Sequence, residues 1–439
     1  MDTGRATSAP AAGSLGQEVE ADQAHPSEGL AAQDQPTKSS VGRRASGAIV
    51  STFVNAGGSL LLQVLAARTL GVEGYGAFAL FVGILVLVSA VQTSWVGDSL
   101  TVLDRFDPRT RGGLVASQAA FASAGFAVAF ACALALGLTD AGGALLFGVM
   151  VSLWLVEEVG RRLLMARLEF WKLVLNDAVY VGSTLLALAV LWAGGHLTLN
   201  TFVLAMAVGA TAAVLVAGLQ LPRQELSLVR PSWAALREVG NFAVWRSAQA
   251  GIRPLSLLTM RITVVAVASR AALGQLEAAR LLVAPVLAFT GGAGAFLLPM
   301  YSDDERWARR RHSVPVRHAA MLLVAATVAY GMVTVAFSGP MARLLTAGTI
   351  TIDELAVVGW VLFAAAFAAG LPLAHAAVAR RQSRQVFLIR ALDSLVGLGL
   401  VIPLVVYGSP SAAPWGIAAG MAVGTLLLVR LYRRSVSPA

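Results

Sequence analysis

Four arginines fall inside stretches of the chain that are otherwise apolar: Arg246, Arg253, Arg261 and Arg280. An arginine at the centre of a membrane helix costs about 2.5–3.5 kcal/mol on insertion scales, so each needs a partner or a task. The first three are seven and eight residues apart. At about 100° per residue they lie within roughly 80° of each other on a helix, as one cationic stripe. Arg246 and Arg261 lie near enough to the helix ends to reach the surface. Arg253 sits about twelve residues in, roughly 18 Å at the helical rise, and Pro254 removes a backbone donor beside it. Two readings follow. Either the outer two anchor the helix ends and Arg253 pairs with a carboxylate, or the stripe lines a water-accessible cavity for an anionic substrate, as polar midplane helices do in transporters.

Other polar groups in apolar surroundings complete the inventory. Arg280 follows Glu277 by three residues, and Asp393 follows Arg390 by three, so each forms a local ion pair. Asp177 stands near one end of its span. Asp177, Glu277 and Asp393 are the carboxylates that could carry a coupling proton or balance the stripe. Asn55 and Gln63 share a helix face and suit a cavity wall or a helix-helix hydrogen bond. Cys132 is the single cysteine, and His25, His196, His312, His318 and His375 show no metal-ligand spacing, so no cofactor, metal centre or metallohydrolase is expected. Gly416, Gly420 and Gly424 form a small-residue ridge for close helix contact. The Gly291–Gly294 cluster has no strand before it and reads as part of a membrane helix rather than a phosphate loop.

The elements that must position these residues are membrane helices. Of the 439 residues, 57% are hydrophobic and 13% charged, against about 25% charged in soluble domains. Residues 178–222 and 394–429 contain no charged side chain. Each is about twice the roughly 20 residues that cross a bilayer. Twelve spans are expected, at approximately 45–67, 76–97, 114–137, 142–160, 174–194, 199–220, 240–267, 274–298, 319–338, 355–376, 387–407 and 412–430. Residues 1–42 read as a disordered tail, 223–239 as a linker, and 45–222 and 240–434 as two six-helix bundles.

Basic residues test this layout, because cytoplasmic loops carry an excess of them. With the tail inside and spans alternating, 26 fall on inner segments and only Arg68, Arg270 and Arg343 on outer loops. Both termini are therefore expected in the cytoplasm. The outer loops are too short for an enzyme domain. Net charge is +9, but its placement follows the membrane rule rather than nucleic acid.

The turn Leu65-Ala-Ala-Arg-Thr-Leu-Gly-Val-Glu-Gly-Tyr-Gly-Ala-Phe-Ala-Leu80 joins spans one and two. Gly71, Gly74 and Gly76 are read as a tight reversal and Tyr75 as an interfacial anchor. This stretch resembles the signature of Wzx-type O-antigen and exopolysaccharide flippases of the multidrug/oligosaccharidyl-lipid/polysaccharide exporter superfamily. Ala272-Leu-Gly-Gln-Leu-Glu-Ala-Ala-Arg280, Leu298-Pro-Met-Tyr-Ser302 and Arg343-Leu-Leu-Thr-Ala-Gly348 are also similar to that family. Leu70-Gly71 aligns with Leu273-Gly274 at an offset of 203, consistent with two parallel six-helix repeats.

The resemblance implies an all-α, polytopic membrane protein with two six-helix bundles around a central cavity that opens alternately to each side. It implies a transporter, not an enzyme, that flips polyprenyl-diphosphate-linked oligosaccharide across the cytoplasmic membrane for surface polysaccharide biosynthesis. Polysaccharide polymerase or glycosyltransferases would be partners. Arg246, Arg253, Arg261, Arg280 and Asn55 would contact the substrate, with the guanidiniums on the diphosphate or on acidic sugars. The chain lacks two further spans of the lipid II flippases, so a peptidoglycan precursor is less expected. The alternative is a multidrug/cation antiporter of the same architecture, which needs buried carboxylates. A membrane glycosyltransferase would need a long outer loop or a paired-carboxylate motif, and neither is present.

Overall fold

The computed structural model describes residues 38–195, 197–226, 229–230, 233–307 and 315–436. Most of the tail expected at 1–42 lies outside the described residues, as do His25, His196, His312 and Arg309 to Arg311. The chain forms α1 (Lys38–Thr69), α2 (Gly71–Gln92), a π turn (Thr93–Gly97), α3 (Asp98–Val102), α4 (Pro108–Ala135), α5 (Ala141–Ala166), α6 (Phe170–Ala193) and α7 (Leu199–Gln220). Then come α8 (Arg223–Leu226), α9 (Trp233–Val267), α10 (Arg270–Trp307), α11 (Val316–Ala336), α12 (Ser338–Thr346), α13 (Glu354–Ala379), α14 (Ser383–Tyr407) and α15 (Ala413–Val436). Among the described residues there is no strand. Among the described residues, twelve helical segments are long and apolar enough to cross a membrane: α1, α2 continued through α3, α4 to α7, α9 to α11, and α13 to α15.

The helices outrun the apolar segments that announced them, for a local reason. α5 was expected to stop at 160 but continues to Ala166, because Arg161 and Arg162 turn back onto Glu158 within the helix at 2.8 Å each. α9 begins at Trp233, inside the stretch read as a linker, and runs unbroken through Pro254. The missing proline donor therefore does not interrupt this helix.

Packing repeats between the halves. α4 packs on α5, α5 on α7 and α6 on α7; at the corresponding positions α11 packs on α13, α13 on α15 and α14 on α15. Across the middle, α2 packs against α9 and α10, and α4 against α9. The α2–α10 crossing is backbone against backbone. A Cβ on Gly76 would collide with the Arg270 carbonyl, and one on Gly274 with the Val72 carbonyl. The expected reversal at Gly71–Gly76 is thus confined to its first residue. Gly71 alone takes a left-handed φ of 69°, while Gly74 and Gly76 lie within α2. Tyr75 is 1% exposed and packs into the core beside Phe78. It is a core residue and not an interfacial anchor, because this turn of α2 is covered by the other half.

Two arginines fasten the same end of the molecule, which carries few basic residues. Arg68, at the end of α1, donates to the carbonyls of Leu344 and Leu345 in the last turn of α12. Arg270, at the start of α10, donates to those of Leu136 (3.2 Å) and Gly137 (2.7 Å) just beyond α4. Each half therefore supplies a cation to a helix C-terminus of the other, where unpaired carbonyls and the helix dipole attract it.

The Gly416–Gly420–Gly424 ridge packs on α14 as expected. A Cβ on Gly420 would strike the Asp393 carbonyl and the Gly397 backbone, whereas one on Gly399 would meet nothing. Gly420→Ala should therefore destabilise the protein by about 1–3 kcal/mol through overpacking. Gly399→Ala should be neutral or gain up to about 1 kcal/mol of helix propensity. Thermal unfolding of the two variants in detergent checks the contrast.

Outside the spans, Asp140 caps α5 by accepting a hydrogen bond from the Gly143 N–H at 3.0 Å. That bond holds its carboxyl below the usual range. A carboxyl lowered on folding stabilises the fold above its unfolded pKa, and the contribution disappears as pH falls through the folded value. Asp140→Asn keeps a good cap and should flatten the acid limb of melting temperature against pH.

Candidate functional site

Three polar clusters interrupt the apolar interior, and each is built by a different set of helices. The first lies in the second half, on the face turned toward the first. Arg261 of α9 binds Glu277 of α10 in two-pronged fashion, at 2.8 and 3.2 Å. Arg280 donates to the same carboxylate at 2.6 Å and to the Gln63 side-chain oxygen of α1 at 2.9 Å. Glu277 is 1% exposed and Arg261 6%. The Arg261 guanidinium passes over Gly83 of α2, where a Cβ would leave only 2.6 Å. Charge-assisted, bidentate bonds of this kind are what allow ions to remain out of water.

The second cluster lies within the first half. Asp177 of α6 accepts from Arg161 of α5 at 2.7 Å and from Ser51 of α1 at 2.6 Å. Glu158 accepts from Arg161 and Arg162 at 2.8 Å each and from Thr93 at 3.2 Å. Glu157 lies 3.8 Å from the Arg161 Nε and accepts from Asn176 at 2.9 Å. Three carboxylates thus share two guanidiniums. The π turn at Thr93–Gly97 brings Thr93 into this network, a usual place for such a bulge. A cavity of about 400 Å³ adjoins the cluster, lined by α1, α2, α5, α6 and Met206 of α7.

The third cluster lies in the second half, around a cavity of about 230 Å³ between α9, α13, α14 and α15. Arg253 enters it with its guanidinium carbon 3.9 Å from the Phe367 ring centroid and 5.1 Å from that of Phe363. Among the described residues, no carboxylate lies within ion-pair distance of Arg253. Arg390 lines the same cavity and binds Asp393 at 3.1 Å. His375 faces it from α13.

The expected stripe is therefore dispersed, although its three arginines share one helix. Arg246 is 57% exposed at its side chain and binds Asp98. Arg261 is buried against Glu277 and does not snorkel. Only Arg253 of the three lines the second-half cavity. Neighbouring helices, not angle alone, decide what each meets. Arg280 pairs with Glu277 and Arg390 with Asp393 as the spacing suggested. Asn55 and Gln63 both line the first-half cavity, and Gln63 also makes the cross-helix bond to Arg280.

Several residues of these clusters had not been singled out in the sequence. Glu157 and Glu158 were overlooked, although their spacing to Arg161 and Arg162 is the i,i+3 and i,i+4 pattern of paired charges. The aromatic supports Phe363, Phe367, Trp154 and Tyr180 carry no signal along the chain that separates them from ordinary core residues.

No protein-family model matches the chain, and no curated protein does. Solved structures do resemble it in fold. An inward-facing multidrug resistance MATE family transporter of the MOP superfamily superposes with a TM-score of 0.68 at 12% identity, covering 88% of this chain and 98% of the other. The lipid II flippase MurJ, in its inward closed conformation, gives 0.69 at 10% identity, covering 89% and 87%. An outward-facing conformation of a MATE family transporter gives 0.61 at 11% identity, covering 90% and 95%. The chain shares the fold of these transporters.

Breaking the central cluster has a calculable direction. Glu277→Gln leaves Arg261 and Arg280 buried without their shared carboxylate and should cost about 3–5 kcal/mol. Arg246→Gln removes an exposed pair and should cost less than about 1 kcal/mol. Melting temperatures of the two purified variants distinguish these expectations.

Proposed function

We propose that this chain flips polyprenyl-diphosphate-linked oligosaccharide across the cytoplasmic membrane by alternating access, with both termini in the cytoplasm, for surface polysaccharide biosynthesis. One observation carries this reading: Arg253 projects into a cavity inside the second half, resting on phenyl rings rather than on a carboxylate. A ring face stabilises a cation modestly and leaves its N–H donors free. A guanidinium held this way is prepared for phosphate oxygens. Arg390 lines the same cavity and would take the second phosphate, with Asp393 as its counter-ion when no substrate is bound.

The reading needs no covalent step, only a difference in affinity between inward and outward states. The lipid tail would stay in the bilayer. Glu277 holds two guanidiniums and is assigned a structural role. A coupling proton fits better at the first-half cluster around Asp177, where carboxylates outnumber guanidiniums.

The same first-half carboxylates and the MATE neighbours support a second reading, a multidrug/cation antiporter. Liposomes carrying a fluorescent polyprenyl-diphosphate oligosaccharide separate the two. Wild type should move it between leaflets, and Arg253→Ala should slow it about tenfold or more, the loss of at least one charge-assisted hydrogen bond. Arg253→Lys should retain an intermediate rate. Equal rates in wild type and Arg253→Ala would remove Arg253 from substrate binding. Absence of flipping, with uptake of a lipophilic cation driven by a pH gradient, would establish the antiporter instead.

A further inference from the structure

The two cavities differ in chemistry, and the cationic one accounts for only part of a lipid-linked glycan. We propose that the first-half cavity is the carbohydrate subsite, taking pyranose units of a neutral or weakly charged oligosaccharide; this rests on the flippase reading above.

The lining carries the groups that recognise polyols. Asn55 presents a carboxamide that makes no hydrogen bond to the protein among the described residues. The Ser89 hydroxyl and the Trp154 indole N–H are buried and have no partner there either. A buried polar atom with nothing to satisfy it is unfavourable, which applies to the Ser89 and Trp154 atoms; the Asn55 carboxamide is half-buried, and all three residues line the one cavity. Tyr180 stacks edge-to-face on Trp154, with centroids 5.0 Å apart at 77°, which fixes the indole. An indole ring offers the flat apolar surface that matches the C–H face of a sugar, while its N–H meets a hydroxyl.

Charge argues for a polyol over a cation. The two carboxylates that line the cavity, Glu158 and Asp177, are each bound to a guanidinium at 2.7–2.8 Å. They keep lone pairs that can accept from hydroxyls, but their charge is matched. Glu157, the least closely paired carboxylate, does not line this cavity. The volume of about 400 Å³ falls within the roughly 300–1,000 Å³ of sites that hold small molecules.

Saturation-transfer NMR on the full-length protein in detergent tests the assignment, with methyl glycosides of glucose, galactose, N-acetylglucosamine and rhamnose as probes and inorganic pyrophosphate binding measured by calorimetry in parallel. At least one glycoside should receive saturation from wild type. Asn55→Ala and Trp154→Phe should each weaken its binding about threefold to tenfold, the loss of a single neutral hydrogen bond, while pyrophosphate binding stays unchanged. Arg253→Ala should do the reverse. Trp154→Phe keeps an aromatic ring, and Asn55→Ala removes no protein hydrogen bond among the described residues, so both variants are expected to fold. Glycoside binding that is absent, unaffected by both variants, or displaced by tetraphenylphosphonium would overturn the subsite. If glycosides fail but pyrophosphate still binds in an Arg253-dependent way, only the carbohydrate assignment falls. If pyrophosphate fails while glycosides bind, it is the anionic headgroup reading that fails.

Discussion

Every guanidinium inside this molecule must be matched before the helices around it can pack, because an unmatched ion away from water costs several kcal/mol. That requirement organises the interior. Arg261 and Arg280 converge on Glu277 and so tie α9 and α10 together, with Gln63 of α1 attached to the same group. Arg161 joins α5 to α6 through Asp177, and Ser51 adds α1. Arg390 and Asp393 sit on α14 against the glycine ridge of α15. These matched groups make Arg253 conspicuous, since its half-buried guanidinium rests on the rings of Phe363 and Phe367. Under the proposed function, that exception among the interior arginines is where the external anion would fit.

The halves repeat in helix pairing but not in charge. A cavity lies in each half, lined by α1, α2, α5, α6 and α7 in the first and by α9, α13, α14 and α15 in the second, and the two linings differ. The first sets two carboxylates against one guanidinium beside carboxamides, hydroxyls and an indole; the second sets two guanidiniums against one carboxylate beside an imidazole, a carboxamide, hydroxyls and phenyl rings. Under the proposed function, such a division suits a substrate that is itself chemically divided, one part charged and the other hydroxyl-rich. Two identical cavities would bind the same group twice.

Run length and charge placement were enough to read the helical architecture, because apolar stretches of bilayer length have few alternatives. The local ion pairs at Glu277–Arg280 and Arg390–Asp393 were legible too, since i,i+3 contact depends on one helix only. What could not be read were contacts between helices. Arg261 lies on the same face as Arg253, yet it meets Glu277 of α10 while Arg253 meets Phe367 of α13. Tyr75 looked interfacial beside three glycines; it is buried because α10 crosses α2 there, and the glycines permit that crossing. Gly76 and Gly274 were visible as sequence features. Their collision partners, each the other half's backbone, were not.

The end that carries Arg68 and Arg270 is held by a set of contacts that any opening there must break together. The α2–α10 crossing is close because Gly76 and Gly274 carry no side chain and lie against the Arg270 and Val72 carbonyls. The arginine bonds to Leu344, Leu345, Leu136 and Gly137 run in opposite directions, one from each half. A rotation of the halves that strains one set strains the other. Thr349 adds a further bond across the halves, to the Ala67 carbonyl at 3.0 Å. Carbonyl acceptors are uncharged, so when these bonds break, water can replace them at small net cost. An ion pair would leave two charges to be resolvated. A seal of neutral acceptors and bare glycine backbone is therefore tight when closed and not prohibitively costly to open. The charged knot of Arg261, Glu277 and Arg280 is different: its carboxylate and both guanidiniums lie on α9 and α10, within one half. Among the bonds of that knot, the Gln63 one leaves the half, so parting the halves at this end leaves the carboxylate with both its guanidiniums.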